Sequence, residues 1–325
     1  MVRKSVGCSF VKRARQGNAS HKGRDYSGKA CGFAAPRFCD KLTARLFTDS
    51  IRQNMLANIS AVVAIVLYIA ATSCHLLQGS AASAPRKPTL LLSIGALALA
   101  LHGLAAAQML LTPEGVNLSL WPMSSVIIFT VNLIVLLSSL KKPLHNLCIL
   151  LFPASALVLL CSLVFGYSLA DKAHLSIEIG IHVALSLLAY SLFTIAAGQS
   201  LLLAYQNKRL RNHHPGGFLH RLPPLQTMET LLFEMIWAGF ILLTLSIITG
   251  FLFLDDIWAQ HLAHKTFFSL VGWLVFAILL WGRARLGWRG TSAIRWTITG
   301  FVLLALAYWG SKFVIEVVLH NRPGL

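Results

Sequence analysis

Long apolar stretches separated by short polar connections dominate the chain from about residue 55 onward. A helix that crosses a bilayer needs about 20 mostly apolar residues, and eight stretches have about this length. They are Leu56–Gln78, Thr89–Leu111, Leu120–Leu140, Leu144–Phe165, Ile177–Gln206, Glu229–Leu254, Thr266–Gly282 and Ile294–Leu319. None shows the alternation of a membrane-barrel strand. The pattern therefore predicts an all-α, polytopic integral membrane protein with about eight transmembrane helices. Between the second and third spans, Gly115-Val116-Asn117 is predicted to form a turn.

Basic residues are distributed unevenly between the connections. Those after the second, fourth and sixth spans hold only Lys172 and Lys265, whereas those after the first, third, fifth and seventh hold 12. These 12 are Arg86, Lys87, Lys141, Lys142, Lys208, Arg209, Arg211, Arg221, Arg283, Arg285, Arg289 and Arg295. The positive-inside rule predicts that the basic connections are cytoplasmic. A chain that starts at Met55 would then have both termini on the outer side of the membrane.

The first 54 residues conflict with this topology. Residues 1–54 hold 12 Lys and Arg and three acidic residues, on the side predicted to be external. They contain no apolar run that could serve as the core of a signal peptide. We predict two parts: a basic extension, 1–54, and an eight-helix membrane domain, 55–320. The extension is expected to be disordered or absent from the mature protein because translation starts at Met55. The alternative is a basic arm that binds anionic lipid or nucleic acid.

The overall composition agrees with a membrane protein. The chain is 56% hydrophobic and 12% charged, whereas an average soluble domain carries about 25% charged residues. Its net charge of +17 would suit nucleic-acid binding, but the excess lies in the extension and the basic connections. We therefore expect membrane lipid, and no nucleic acid, as a partner. The sequence contains no Walker A, His-Glu-x-x-His or Gly-x-Ser-x-Gly pattern, and we expect no enzymatic activity.

Histidines are the main ionisable residues on the predicted membrane path. His182 lies about one turn inside the fifth span, near its predicted outer end, and His102 lies near the middle of the second. Four more belong to the predicted outer side: His174, His261, His264 and His320. Neutral imidazole is a common axial ligand of haem iron. The alternatives are hydrogen bonds between helices for His102 and His182, and solvation for His174 and His261.

Three tryptophans are predicted at or towards the outer surface: Trp121, Trp258 and Trp273. A flat, apolar haem would lie well against such side chains. Tryptophans also anchor helices at any bilayer interface, which is the alternative for Trp121 and Trp258.

Four stretches in the second half carry a family resemblance. They are His182–Tyr190 (HVALSLLAY), Leu222–Leu225 (LPPL), His264–Gly290 with Trp273-Leu274-Val275 and Gly287-Trp288-Arg289-Gly290, and Ala307–Lys312 (AYWGSK). Together they resemble the cytochrome c assembly membrane proteins of the CcsA/CcmC type, most closely the YpjD-like branch. The resemblance runs from about Met55 to His320. Members of that branch begin at the first span, which also favours Met55 as the start.

The resemblance implies a haem-binding protein that handles or presents haem at the outer face of the cytoplasmic membrane. In the family, paired external histidines ligate haem beside a tryptophan-rich segment, and apocytochrome c receives it. His182 matches the first histidine, and His320 lies about one residue from the position of the second. We expect non-covalent haem b with His182 and His264 as axial ligands, and apocytochrome c or another cytochrome-biogenesis membrane protein as partner. The implied cofactor-binding residues are His182, His264, His320, His102, Trp258 and Trp273.

One departure from the family pattern supports an alternative function. The family carries Trp-Gly-x-x-Trp-x-Trp-Asp where this chain has Asp255–Lys265, and only Trp258 remains there. His264 then supplies a ligand where other members supply aromatic contacts. Otherwise the protein is a non-enzymatic accessory subunit of another membrane system, for example one for metal-ion homeostasis, that has lost haem delivery. A secondary transporter is disfavoured because no inverted repeat is visible and Glu234 is almost the only acidic residue within a span.

Overall fold

The computed structural model describes residues 55–74, 76, 88–112, 115–142, 144–165, 172–173, 176–212, 222–253 and 260–310. Eight long helices account for most of these residues. They are α1 (Met55–Cys74), α2 (Pro88–Leu110), α3 (Leu120–Ser139), α4 (Cys148–Phe165), α5 (Ile177–Arg211), α6 (Leu225–Phe253), α7 (Gln260–Leu286) and α8 (Thr291–Ala305). A short 3₁₀ turn, His145–Leu147, precedes α4, and a π-helical turn, Leu306–Gly310, continues α8.

The eight predicted transmembrane helices are confirmed. In the part of the chain that the structure describes, α1 to α7 each contain a segment long and apolar enough to cross a bilayer, and α8 reaches this length together with its π-helical turn. The protein is therefore an all-α, multi-pass membrane protein. With 35 residues, α5 is the longest helix. Its length of about 52 Å exceeds the roughly 30 Å of the hydrocarbon core, so its last, basic turn lies beyond the apolar layer.

A small sheet joins two connections at one end of the bundle. It has three antiparallel strands in the order β1 (Leu111–Thr112), β2 (Gly115–Asn117) and β3 (Lys172–Ala173). Val116 pairs with Leu111 on one side and with Ala173 on the other. The predicted turn at Gly115-Val116-Asn117 was wrong, because these residues form the central strand. Local turn residues could not reveal a partner that follows α4, some 55 residues later.

Most of the helices contribute at least one large, fully buried side chain to the core. These side chains include Tyr68, Phe193, Phe276, Leu159, Leu203 and Ile236. The closest and longest association is between α5 and α6, while α3 packs between α2 and α4, and α8 packs on α5 and α7. Many large apolar side chains point away from this core, including Ile59, Val66 and Ile69 on α1. Such outward-facing residues suit contact with lipid, which is as apolar as the core itself.

Two acidic side chains connect helices at the end of the bundle opposite the sheet. Glu234 of α6 pairs with Lys142, which follows α3. The Glu229 carboxylate accepts a hydrogen bond of 2.7 Å from the backbone N–H of Gly290, directly before α8. Arg283 donates to the Trp288 carbonyl at 3.1 Å, and its guanidinium lies 4.6 Å from the centre of the Phe233 ring. These contacts join the α3–α4 and α7–α8 connections to α6.

Glycines bring α7 and α8 close together. A Cβ atom at Gly300 would lie 2.8 Å from the Phe276 ring, and one at Gly272 would lie 2.9 Å from Leu304. Small residues at helix interfaces allow this close approach in membranes, where lipid provides no hydrophobic drive for association. The absence of a side chain at these two positions therefore allows α7 and α8 to pack this closely.

Replacing Gly300 with Ala is expected to destabilise the fold. The added methyl group overlaps with the Phe276 ring, and overpacking of this kind costs about 1–3 kcal/mol. Gly180→Ala is the matched control, because a Cβ atom there meets nothing within 4 Å. Thermal unfolding of the two variants in detergent measures the difference. Equal melting temperatures for the two variants would contradict the close α7–α8 contact.

Candidate functional site

His182 lies in the second turn of α5, where its ring contacts the end of α6. Its Nδ1 lies 2.9 Å from the Ser246 carbonyl oxygen and 3.3 Å from Thr249 Oγ1. A carbonyl oxygen can only accept a hydrogen bond, so this contact assigns the proton to Nδ1. In the neutral ring, Nε2 then carries a lone pair. Among the residues that the structure describes, Nε2 has no hydrogen-bond partner.

Small and polar residues near the end of α6 make room for this ring. A Cβ atom at Gly250 would lie 3.0 Å from His182 Cε1, so a larger residue would press on the imidazole. Ser186, one turn after His182, forms a hydrogen bond of 2.6 Å with the Ser246 hydroxyl. The ring is thus oriented by a carbonyl and by a close backbone contact, and it is only partly buried.

Trp273 packs on a different face of α6. Its indole N–H donates to Thr244 Oγ1 at 2.9 Å, and its ring stacks on Phe240 with 5.5 Å between centroids. Thr244 and Phe240 are one turn apart, whereas Ser246 lies about 200° around the helix from Thr244. The structure therefore does not bring Trp273 next to His182.

Of the other residues predicted to bind haem at the outer side, His264 lies within the described residues, and two do not. His264 is exposed near the start of α7, at the same end of the bundle as His182, because α7 begins where α6 ends. Trp258 and His320 lie outside the described residues, as do residues 1–54 and hence the predicted boundary between the two parts. No cluster of three or more His, Cys, Asp or Glu side chains that could hold a metal ion occurs within the described ranges.

His102 is fully buried between α1, α2 and α3. Its Nδ1 lies 3.2 Å from the Tyr68 hydroxyl, and its Nε2 lies 3.1 Å from the Ser125 hydroxyl. The Tyr68 and Phe129 rings each meet it edge-on, with centroids 5.8 Å away. These contacts match the hydrogen bond between helices that we considered from the sequence. Haem iron could reach this ring only if one of the two bonds were broken, and the ligand role of His102 stays a prediction.

Comparison with known proteins identifies the family. The family model described as cytochrome c assembly protein matches residues 90–319, which is more than two thirds of the chain. The chain belongs to this family. The matched range contains the four stretches that carried the resemblance in the sequence, together with the His182 site.

The curated relatives cover shorter ranges. The inner membrane protein YpjD of Escherichia coli strain K12 is 35% identical over 138 residues, 42% of this chain and 52% of that protein. An uncharacterised 28.8 kDa protein of Azospirillum brasilense is 34% identical over 145 residues, which are 44% of this chain and 54% of that protein. The cytochrome c biogenesis protein CcsA of Gloeothece citriformis is 31% identical over 110 residues, which are 33% of this chain and 34% of that protein. The matches to the first two span about half the length of those relatives. No solved structure matches the chain.

The sequence did not single out Ser246, Thr249 and Gly250. Their signal is a group of small and polar residues (Ser-x-x-Thr-Gly) close to the end of an otherwise apolar span. Such a group is common in membrane helices, so only the packing of α6 on α5 shows that it orients His182.

Replacing His102 with Leu tests whether this residue is structural. The change removes two hydrogen bonds between helices, each worth about 0.6 kcal/mol on average and up to about 1.7 in membrane proteins, so a loss of about 1–3 kcal/mol in stability is expected. Denaturation of the purified protein measures this loss. A structural His102 leaves the haem content of folded protein unchanged, whereas a haem ligand at this position would lower it. Tyr68→Phe, which removes only one of the two bonds, is the matched control.

Proposed function

We propose that the protein is an inner-membrane haem-binding protein of cytochrome c assembly type, which handles or presents haem at the outer face of the cytoplasmic membrane. The observation that carries the proposal is the hydrogen bond from His182 Nδ1 to the Ser246 carbonyl. It leaves Nε2 as a ligand atom near one end of the bundle. Membership of the cytochrome c assembly family and the relatives named CcsA support a role in cytochrome c biogenesis.

The surroundings of His182 suit an axial ligand of haem. Metal-binding histidines usually donate their other ring N–H to a carbonyl or carboxylate, which fixes the ring and makes the ligand atom more basic. Ser246 plays this part here. Haem iron needs only one or two protein ligands, because the porphyrin supplies the others. A single well-oriented histidine can therefore be enough to hold haem iron. Bound haem would supply the redox-active iron that cytochrome c requires.

The ends of α5 and α6 also offer apolar surface. Ile177, Ile181 and Phe251 are exposed close in sequence to His182 and Gly250. A haem macrocycle is flat and largely apolar, and such side chains would cover its faces while its propionates reach the polar layer. We propose that the haem is haem b, bound without a covalent link. His264 and His320 are the candidates for the second axial position, and Trp258 remains a candidate for contact with the ring.

The location and partners follow from the same reasoning. Eight apolar helices and the relative named as an inner membrane protein support the bacterial cytoplasmic membrane. The distribution of Lys and Arg favours the His182 end as the outer end. We propose that the protein carries haem without catalysing a reaction, and that apocytochrome c or another cytochrome-biogenesis membrane protein receives it there.

Removal of the His182 imidazole tests the proposal. Purified protein loaded with haem should show a Soret absorption band, and His182→Ala should weaken or abolish it because the oriented ligand is lost. His213→Ala, in a connection predicted to be cytoplasmic, is the matched control and should keep the full band. The measurement is haem absorbance per mole of folded protein.

Two outcomes would contradict this function. One is a wild-type protein that stays colourless and takes up no added haem. The other is a His182→Ala variant with an unchanged haem spectrum and affinity. Either result, together with retained co-purification of a membrane partner, would favour the accessory-subunit alternative, which predicts that His182 tolerates substitution.

Gly250→Ala tests the orientation of the ring without removing the ligand. The added Cβ atom would lie 3.0 Å from His182 Cε1 and displace the imidazole. We expect weaker haem binding, by about tenfold, since disturbing the hydrogen bond that orients a metal-binding histidine typically costs between 10-fold and 100-fold in affinity. Gly180→Ala, in the same turn region of α5 but facing open space, should bind haem normally. Haem titration followed by absorbance compares the two variants, and equal affinities would show that the α6 contact does not position the ligand.

A further inference from the structure

The end of the bundle opposite His182 contains an open cavity between α5 and α8. Its volume is about 510 Å³. Three of its lining side chains are cationic: Lys208 and Arg211 in the last turns of α5, and Arg295 in the first turns of α8. Asn207, Asn212 and Thr291 add polar groups to the same lining, and Ala204 and Ile294 form its apolar side. We propose that this cavity binds a phosphate group, as carried by an anionic phospholipid headgroup or by free phosphate.

The position of the cavity along the membrane normal suits a lipid headgroup. Lys208 lies about 39 Å along the helix axis from His182, which is more than the roughly 30 Å thickness of the hydrocarbon core. The apolar part of α5 ends just before this point, and that of α8 begins just after Arg295. The three cations therefore lie at the level of the polar headgroups. The charge distribution assigns this end to the cytoplasm, where anionic headgroups attract basic residues.

No carboxylate in the described part of the chain neutralises the charge of the cavity. Within the described residues, Lys208, Arg211 and Arg295 have no ion-pair partner. Two described acidic residues lie at this end: Glu229 bonds to the Gly290 N–H, and Glu234 pairs with Lys142. The remaining acidic residue in the described part of the chain, Glu178, belongs to the first turn of α5, at the opposite end.

The helix dipoles do not neutralise the positive charge around the cavity. The carboxyl end of α5 contributes roughly half a negative charge, and the amino end of α8 contributes roughly half a positive charge. The two nearly cancel, so about three positive charges remain around the cavity. Arginine guanidinium groups bind phosphate in a bidentate manner, and lysine adds a point charge. Two arginines and a lysine from two helices around one cavity form a recognisable phosphate site.

Lipid titration of the delipidated, full-length protein tests the site. The probes are phosphatidylglycerol, phosphatidylcholine and inorganic phosphate, and native mass spectrometry measures bound lipid. We expect phosphatidylglycerol to bind more tightly than phosphatidylcholine. The triple variant Lys208→Gln, Arg211→Gln, Arg295→Gln should lose about tenfold or more of that affinity, because each cation contributes to anion attraction near a membrane surface.

A matched control separates a specific site from general positive charge. The variant Lys141→Gln, Arg285→Gln, Arg289→Gln removes three exposed cations at the same end but outside the cavity lining. It should keep wild-type affinity. The variant Arg211→Lys, Arg295→Lys keeps the charge but loses the bidentate guanidinium contacts, so its affinity should lie between those of the triple variant and the wild type. This variant guards against a triple variant that folds poorly.

The outcomes distinguish the sources of the phosphate group. Phosphatidylglycerol that is not displaced by inorganic phosphate identifies a lipid headgroup. Binding of inorganic phosphate alone, with no preference between the two lipids, identifies free phosphate. Equal lipid affinity in the cavity variant and in the control variant, or no binding of either probe, overturns the proposal. Each readout is independent of haem, so failure here leaves the proposed function untouched.

Discussion

The hydrocarbon layer provides no water to satisfy polar groups, and this constraint organises the whole protein. Backbone groups are satisfied within helices, as they must be in a membrane. Several polar side chains inside the bundle also find partners on neighbouring helices, and each of these bonds joins two or three segments. In chain order these bonds are Tyr68–His102–Ser125 across α1, α2 and α3; Asn132–Ser155 between α3 and α4; His182–Ser246 between α5 and α6; and Thr244–Trp273 between α6 and α7.

The same constraint separates the two histidines that lie within spans. His102 has partners on both nitrogens and is fully buried, so its ring serves as a link between three helices. His182 has protein partners for Nδ1 and is partly exposed. A satisfied Nδ1 beside an available Nε2 is the arrangement of a metal-binding histidine. Position in a span alone does not distinguish these two rings, whereas their hydrogen-bond partners do.

The two ends of the bundle have different chemistry. The end that holds His182 and His264 also holds the small sheet, which ties the α2–α3 connection to β3. The opposite end holds the ion pair and the Glu229 contact that connect α6 to Lys142 and Gly290, and it holds the basic cavity. The 35 residues of α5 link the two ends. One rigid helix thus positions both the haem-ligand candidate and two of the three cations of the proposed phosphate site.

Hydropathy alone determined the number of helices, because the thickness of the bilayer dictates how many consecutive apolar residues a span requires. It placed the start of α5 at Ile177 and so placed His182 within one or two turns of its end. The four matching stretches also indicated the family, since they depend only on residue order. The extent of α7 was underestimated, as its first turn is polar and carries no hydropathy signal.

The packing of the helices establishes which of their faces meet. The periodicity of an apolar helix does not show which of its sides contacts protein and which contacts lipid, because both environments are equally apolar. The bond between His182 and Ser246, 64 residues apart in the chain, and the triad around His102 could therefore not be predicted. For the same reason the strand Gly115–Asn117 was taken for a turn: its partner β3 comes into reach only after α3 and α4 have packed. Residue order is thus enough to predict how many helices cross the membrane and which chemical groups they carry. Which of those groups lie together depends on contacts between segments far apart in the chain.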